Sequence, residues 1–487
     1  FIITSNNFVF SDDLMKPTSY SKDLYQLPIL DGTYIKDVTH PDQFLGFAIG
    51  ERVAAPWQIT SALKQWSNQS DRIKIVEYAK SHEGRPLHAV FISSPNNIKN
   101  LDAIKEDITK LADARNTSDR QAKSLIDDIC FTSIPLLLDK ENSVKRNRTI
   151  LEGEEKFDEE LWKSLVAMGL TATTIPEEYG GIGMGFLELC VIAEELGRGI
   201  APVPFSSSVY LATTAILNSS NEDLKKEYLP KLAGGEIIGT FAHSEKTSFP
   251  DESGITVSAS GNKISGQKIA VPDGDIADFA IVSATSGKNV GLYLVNLKND
   301  KVTIETLDTF HPSRSHANVT FENAEAVLLQ DDAWTSIEKL LDQSAVLFAF
   351  EQVGGAEAAM NMAKEYAMGR YAFGRAIASF QAIKHKVADM YVSLQLARSN
   401  CYYGAWALSN DSSELPTAAA TARVSATKAF YECSKENIQT HGGMGATWEF
   451  DCHLYYRRAR LLSSNIGSQG IWKDKLITSL EKSNSPA

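Results

Sequence analysis

Apolar residues recur at helical spacing in some blocks of this chain and at strand spacing in others. From 157 to 168 the order Phe-Asp-Glu-Glu-Leu-Trp-Lys-Ser-Leu-Val-Ala-Met gathers its apolar positions on one helical face, and Gly169 follows as a stop. The amphipathic stretch 136–148 and the runs 186–196 and 221–229 also read as helices. Gly197 is expected to close the second and Pro230 to kink or end the third, before Gly234-Gly235. Between 237 and 329 the period shortens to that of strands. The runs 237–243, 255–259, 264–271, 279–283, 290–295, 302–306 and 317–321 are short, β-branched and separated by turn residues. Seven such strands at about 10-residue spacing predict a small β sandwich or barrel. Past Asp331 the pattern is helical again: 334–368 lacks proline, and 381–406 and 416–439 follow after short connections. Small residues at Ala345, Ala349, Gly354, Gly355 and Ala356 allow close packing, so these helices are expected to form a bundle.

The first 130 residues have a different texture. A short apolar run at 44–49 precedes a helix over 55–66, the alternation 73–78, a Gly84-Arg-Pro86 turn and a strand over 87–93. A polar helix is expected over 100–114, and strand, turn, strand, helix is the opening of an α/β or α+β domain.

Length, charge and cysteines narrow the function. With 487 residues there is room for two to four domains. A net charge of −13 leaves nothing basic over to neutralise phosphates, which argues against a nucleic-acid binder. Cys130, Cys190, Cys401, Cys433 and Cys452 form no C-x-x-C pair, which suggests reduced, packed thiols in a cytoplasmic protein. No apolar run approaches the roughly 18 residues of a membrane span. The N-terminus has neither a basic n-region nor an initiating Met, as in a processed product or fragment.

Candidate chemistry concentrates at two helix ends. Gln439-Thr-His-Gly-Gly-Met-Gly-Ala-Thr-Trp-Glu449 closes one long helix, and Arg370-Tyr-Ala-Phe-Gly-Arg-Ala-Ile-Ala-Ser-Phe-Gln381 follows another. Glycine-rich turns beside an arginine suit a pyrophosphate-bearing cofactor. The glycine-rich loop 175–185 carries Glu177 and Glu178 and no basic residue, so it reads as a structural turn. Glu449 and His453 also read as structural.

Two resemblances follow from these motifs. The phrases at His40–Phe47, Ser70–Arg72, His82–Leu87 and Ile92–Asn96 resemble the start of zinc carboxypeptidases over about residues 35–129. None of the nine histidines has Glu three residues later, so the His-x-x-Glu zinc pair is missing and neither a metal site nor peptidase activity is expected. His82 and Glu83 read as turn residues. From about 131 to 480 the order helix domain, β domain, helix bundle resembles the acyl-CoA dehydrogenase family. Leu161-Trp-Lys, Ile175-Pro-Glu-Glu-Tyr-Gly-Gly181, Glu194-Glu-Leu-Gly197, Gly266-Gln-Lys268, Arg370-x-x-Phe-Gly374, Phe380-Gln381 and Gln439-x-His-Gly-Gly-x-Gly445 carry the likeness. The implied fold is mainly α with a central β domain. Its parts would be an incomplete carboxypeptidase-like α/β segment (1–130), an N-terminal helical domain (131–236), a β domain (237–330) and a C-terminal four-helix-type bundle (331–487).

The acyl-CoA dehydrogenase resemblance implies FAD, an acyl-CoA substrate and an oligomer, homo- or heteromeric, dimer or tetramer, that shares its FAD sites. By it Arg370 and Phe373 contact the FAD pyrophosphate and adenine side across a subunit interface, and Gln381 with the backbone of Gln439, Gly442 and Gly443 completes the grip. Phe241 and Ser244 lie on the strand that faces the flavin. The sequence departs from the family nearby: Lys246 replaces a Pro, and Ala270 and Pro272 replace an aromatic residue and a Thr. The larger departure concerns the carboxylate that takes the α-proton. Its two family positions hold Ser344 and Ile466, and Glu351, seven residues along the same helix face, lies roughly 10 Å away. No catalytic base can be assigned within the chain. Family subunits that lack the Glu occur in hetero-oligomers whose partner keeps it, and the phrase from His441 to Arg458 resembles that branch. A non-catalytic structural subunit without flavin is the alternative.

Overall fold

The computed structural model describes residues 38–47, 56–80, 86–92, 95–102, 140–153, 155–246 and 250–484. These fall into two compact units, one within residues 1–129 and one within 130–487. The first holds helix α1 (Pro56–Gln69) and an antiparallel hairpin of β1 (Ile73–Lys80) and β2 (Pro86–Ile92). Gln65 and Gln69 donate to the Thr39 hydroxyl at 2.9 and 2.8 Å, tying the helix to the segment before it. Val76, Val90 and Phe91 stay exposed on the hairpin, because two strands cannot bury both faces. His82, Glu83, Cys130 and most of the helix expected over 100–114 lie outside the described residues.

The second unit opens with α2 (Lys140–Glu152), α3 (Glu159–Ala167), α4 (Phe186–Arg198) and α5 (Glu222–Ala233). Asp158 and Asn221 cap α3 and α5, accepting from Leu161 N at 2.9 Å and Leu224 N at 3.1 Å. Gly169 takes φ +72° just past α3, as a helix-stop glycine does. Two expectations need correcting. Pro230 does not end α5, which continues to Ala233: the Lys226 carbonyl that its missing N–H leaves free is on an exposed residue, where water can satisfy it. Nor does Gly197 close α4. It lies inside the helix, and a Cβ there would stand 1.8 Å from the Glu351 carbonyl oxygen.

The seven described strands of the β domain form a closed barrel rather than a sandwich. Strands β3 (Gly239–Ala242), β4 (Ser258–Ser260), β5 (Lys263–Pro272), β6 (Phe279–Ser286), β7 (Asn289–Asn296), β8 (Val302–Thr306) and β9 (His316–Gln330) share one sheet. Its ring runs β6-β4-β5-β9-β7 and returns to β6. Buried residues of β6 and β7 alternate between two cores. Ala280, Val282, Tyr293 and Val295 fill the barrel, whereas Phe279, Ile281, Leu292 and Leu294 pack into the helical core. That double burial is why these two strands read as continuous apolar runs. Strand β9 extends nine residues beyond the run 317–321 because Asn323 at φ +57° turns the chain without ending it.

The remaining helices are α6 (Trp334–Gly369), α7 (Gln381–Ser409), α8 (Leu415–His441), α9 (Cys452–Leu462) and α10 (Gln469–Asn484). The small residues of α6 meet their neighbours closely: a Cβ at Gly354 would lie 1.8 Å from the Glu194 carbonyl oxygen and one at Gly355 2.4 Å from the Phe430 ring. Among the described residues no helix is long and apolar enough to cross a membrane.

Candidate active site and cofactor site

At the end of α6, Arg370 leaves the helix in extended conformation and leads into a hairpin of β10 (Tyr371–Ala372) and β11 (Arg375–Ala376). The two turn residues, Phe373 and Gly374, take φ +51° and +77°. A two-residue turn of that hand favours Asn-Gly, so Phe373 costs backbone energy, roughly 1–2 kcal/mol. It also stays 95% exposed, with the Phe380 ring edge-on at 6.3 Å. Nothing within the described chain rewards either feature.

Beside the hairpin, α8 ends in a turn where Gly442 takes φ +63° and donates its N–H to the Gln439 carbonyl. A Cβ at Gly443 would meet nothing within 4 Å, whereas one at Gly445 would lie 2.4 Å from the Ile438 carbonyl. Gly443 therefore lines open space, and Gly445 lets the turn close. A groove of about 500 Å³ is lined by Arg370, Gly442, Gly443 and Thr447, with Tyr366 and His441 on its wall. Sequence reasoning passed over those last two. His441 sits inside the Gln-x-His-Gly-Gly phrase and Tyr366 one helical turn before Arg370, which was the available signal. Their rings stack at 4.0 Å, and burial holds the His441 imidazole below its ordinary pKa despite a 2.9 Å bond to the Asn437 carbonyl.

The structure brings Arg370, Gly442 and Gly443 together around this groove; Phe373, Gln381 and Gln439 do not line it. Gln381 is exposed at the start of α7, and the Gln439 side chain is exposed beside the turn. Both helix ends at the groove are C-termini, whose dipoles repel anions, contrary to the simple helix-end expectation. The attraction for a diphosphate must come from the Arg370 guanidinium and backbone N–H groups of the turn.

Phe241 and Ser244 lie on and just after β3, apart from that groove. The Phe241 ring is 4% exposed, packed in the helical core and stacked on His243 at 5.4 Å. Ser244 is half-buried, and its carbonyl accepts from Ile269 N at 2.8 Å. Under this strand Lys268 is fully buried, donating to the His243 carbonyl at 3.0 Å, Glu245 at 2.6 Å and the Ser283 hydroxyl at 3.0 Å. Burial pushes the Lys268 ammonium down to about 8, although Glu245 pulls the other way. Burial brings His243 to about 3, so that ring is neutral. Ala270 occupies a bulge of β5 at φ +48°.

The two positions where the family resemblance places a base hold no carboxylate. Ser344 is fully buried and donates to the Tyr210 carbonyl at 3.0 Å. Ile466 stands at φ +52°, a left-handed conformation that a β-branched residue rarely takes, with its side chain in the helical core. Glu351 lies 3.6 Å from Arg314 and 3.5 Å from Arg458, all three buried. Arg458 also donates to His311 at 2.9 Å, and Arg314 lies 3.6 Å from Asp273. Both guanidiniums thus engage the Glu351 carboxylate in a buried ion-pair network.

Residues 140–236 match the acyl-CoA dehydrogenase N-terminal domain, and 331–479 match the acyl-CoA dehydrogenase C-terminal domain. The acyl-CoA dehydrogenase IpdE2 of Mycobacterium tuberculosis is 34% identical over 313 residues, 64% of this chain and 84% of that protein. The chain belongs to the acyl-CoA dehydrogenase family. Isovaleryl-CoA dehydrogenase of Solanum tuberosum is 30% identical over 64% of this chain and 80% of its own length. Among solved structures, the Tcur3481-Tcur3483 steroid ACAD matches with TM-score 0.66 at 25% identity, covering 73% of this chain and 99% of that one. Butyryl-CoA dehydrogenase from Megasphaera elsdenii shares the fold, with TM-score 0.67 at 23% identity over 75% of this chain and 99% of that one. Acyl-CoA dehydrogenases are FAD-dependent oxidoreductases acting on CH–CH groups, and the groove fits that cofactor's diphosphate. It joins a guanidinium to a glycine turn with space where a side chain would otherwise stand.

Proposed function

We propose that this chain is one subunit of a hetero-oligomeric acyl-CoA dehydrogenase whose partner supplies the carboxylate base. The observation that carries the reading is the state of the two base positions: Ser344 is bonded to a backbone carbonyl, Ile466 is aliphatic, and Glu351 is held by two arginines. FAD, when bound, accepts the hydride that leaves the β-carbon of the acyl group. This chain's residues grip and orient. Arg370 gives the diphosphate a planar fork, Gly442 and Gly443 let it approach the backbone, and Gln381 and Gln439 stand ready at the rim. Phe373 is the knob that reaches the neighbouring subunit's adenine side, which explains a strained and exposed aromatic. Phe241 and Ser244 belong to the flavin side, Phe241 by supporting the strand from the core.

We divide the second unit into domains at 131–236, 237–330 and 331–487, and assign the protein to the cytoplasm. The likeness of residues 35–129 to the leading part of a zinc carboxypeptidase carries no metal chemistry in this reading. The purified chain, supplied with FAD and an artificial electron acceptor, should oxidise acyl-CoA weakly or not at all. Robust turnover by the lone chain would sink the proposal.

A second reading, a structural subunit without flavin, is favoured by Ala270 and Pro272 on the flavin-side strand, which offer the ring less packing and no hydroxyl. Visible flavin absorbance in the purified protein separates the two.

A further inference from the structure

We propose that His441 is a second binding residue of the groove, taking up a proton from solvent when the diphosphate arrives and presenting it at Nε2. The inference rests on the reading of this groove as the seat of the FAD diphosphate. A diphosphate esterified at both ends carries two negative charges, and the Arg370 guanidinium offsets one of them. Of the residues that line the groove, only Arg370 and His441 can carry a positive charge. The end of α8 adds to the need, because its free carbonyls repel an anion unless a cation stands beside them.

The imidazole is held in the form this role requires. His441 is 6% exposed, yet it forms part of the groove wall. A backbone carbonyl can only accept, so the 2.9 Å bond to Asn437 puts a proton on Nδ1. Nε2 is then the ring's remaining polar atom, and it has no hydrogen-bond partner among the described residues. In the neutral ring this atom is a lone pair, which repels an anion; in the imidazolium it is a donor. The Tyr366 ring, stacked at 4.0 Å, offers its face to that cation, and its hydroxyl is tied to Met444 Sδ at 3.6 Å. The surrounding charges do not compete for the ring. Helix α6 brings Tyr366 and Arg370 to the groove, and on α8 Glu436 is ion-paired with Lys386 at 2.5 Å and Lys435 at 3.4 Å. Phe450, 6.0 Å from the ring, is uncharged. Cys452 of α9 approaches Asn437 through Met362, and burial pushes its thiol up to about 12, so it is neutral. Burial keeps the free His441 ring below its ordinary 6.5, and the arriving diphosphate raises it. Affinity for FAD is then greatest at low pH and falls as pH rises from the free ring's pKa to that of the bound ring.

The test is a flavin fluorescence titration of the full chain with FAD at pH 5.5 and pH 8, beside His441→Gln, whose amide keeps a donor and cannot titrate. The FAD diphosphate is fully ionised at both, so a difference reports on the protein. The wild-type chain should bind about fivefold or more tighter at pH 5.5, and the variant should show one affinity throughout. Calorimetry at pH 6.5 in two buffers of different ionisation enthalpy should record proton uptake by the wild type and none by the variant. A flat wild-type profile overturns the proposal, as does a folded variant that keeps the wild-type pH dependence. If circular dichroism shows that His441→Gln does not fold, His441→Asn replaces it under the same criterion. FAD that binds at neither pH sinks the groove reading and this inference together. FAD binding that Arg370→Ala weakens and pH leaves unchanged sinks the part given to His441 alone.

Discussion

Phe373 combines two costs that a lone chain has no reason to bear: a left-handed backbone and a 95% exposed ring. Replacing it with Asn, which tolerates that conformation, should raise the stability of the lone chain by about 1 kcal/mol. A urea melt reads this effect, and a loss of stability would show that the ring packs after all. Arg370 is the cation of the groove. Arg370→Ala should weaken FAD binding tenfold or more, and Arg370→Lys should recover only part of it, because an ammonium cannot copy the planar fork. Flavin fluorescence titration measures both, and equal affinity in all three proteins would remove Arg370 from the site. These two residues were legible because each stands in a compact phrase of local sequence. Arg314, Arg458 and His311 were not. Arg458 lies 107 residues from Glu351 and 147 from His311 along the chain, and no spacing rule connects them.

At the scale of elements, helices and strands followed their hydrophobic periods closely, and the differences have local causes. Pro230 and Gly197 look alike as punctuation in the sequence, yet neither ends its helix. Gly197 is there because α4 crosses α6 in backbone contact. The relation is reciprocal: Gly197 faces the Glu351 carbonyl, and Gly354 faces that of Glu194. A methyl group at either position meets backbone, which cannot swing aside. Gly197→Ala and Gly354→Ala should each destabilise the second unit by about 3 kcal/mol or more, more than Ala at the open position Gly443. Chemical denaturation of the three variants checks the order. Equal melting of Gly197→Ala and Gly443→Ala would contradict the close crossing.

Over the whole molecule, five histidines share one electrostatic sign. Burial, the largest influence on each, lowers the pKa of His243, His311, His316, His441 and His453, with His243 brought to about 3. Below the ordinary value of 6.5 the unfolded chain therefore binds protons that the fold refuses, and stability falls as pH drops. Asp342 opposes this. Burial raises it to about 6 from 3.8, so that the fold holds its proton across that window and gains stability on acidification. Five groups against one predict a lower urea midpoint at pH 5 than at pH 7, and a flat or rising midpoint on acidification would show that these rings are not held neutral.

The sequence by itself determined the kind of most described elements, the order of helices, strands and helices, and the phrases around Arg370 and Gly442, because periodicity and turn chemistry act over a few neighbouring residues. It also determined that Ser344 and Ile466 carry no carboxylate. Tertiary structure alone decided that the strands close into a barrel, that Gly197 and Gly354 mark a crossing, and that Glu351 is held by Arg314 and Arg458. Those outcomes depend on which distant surfaces meet, and burial sets the energy of each charge and each close contact only once they have met.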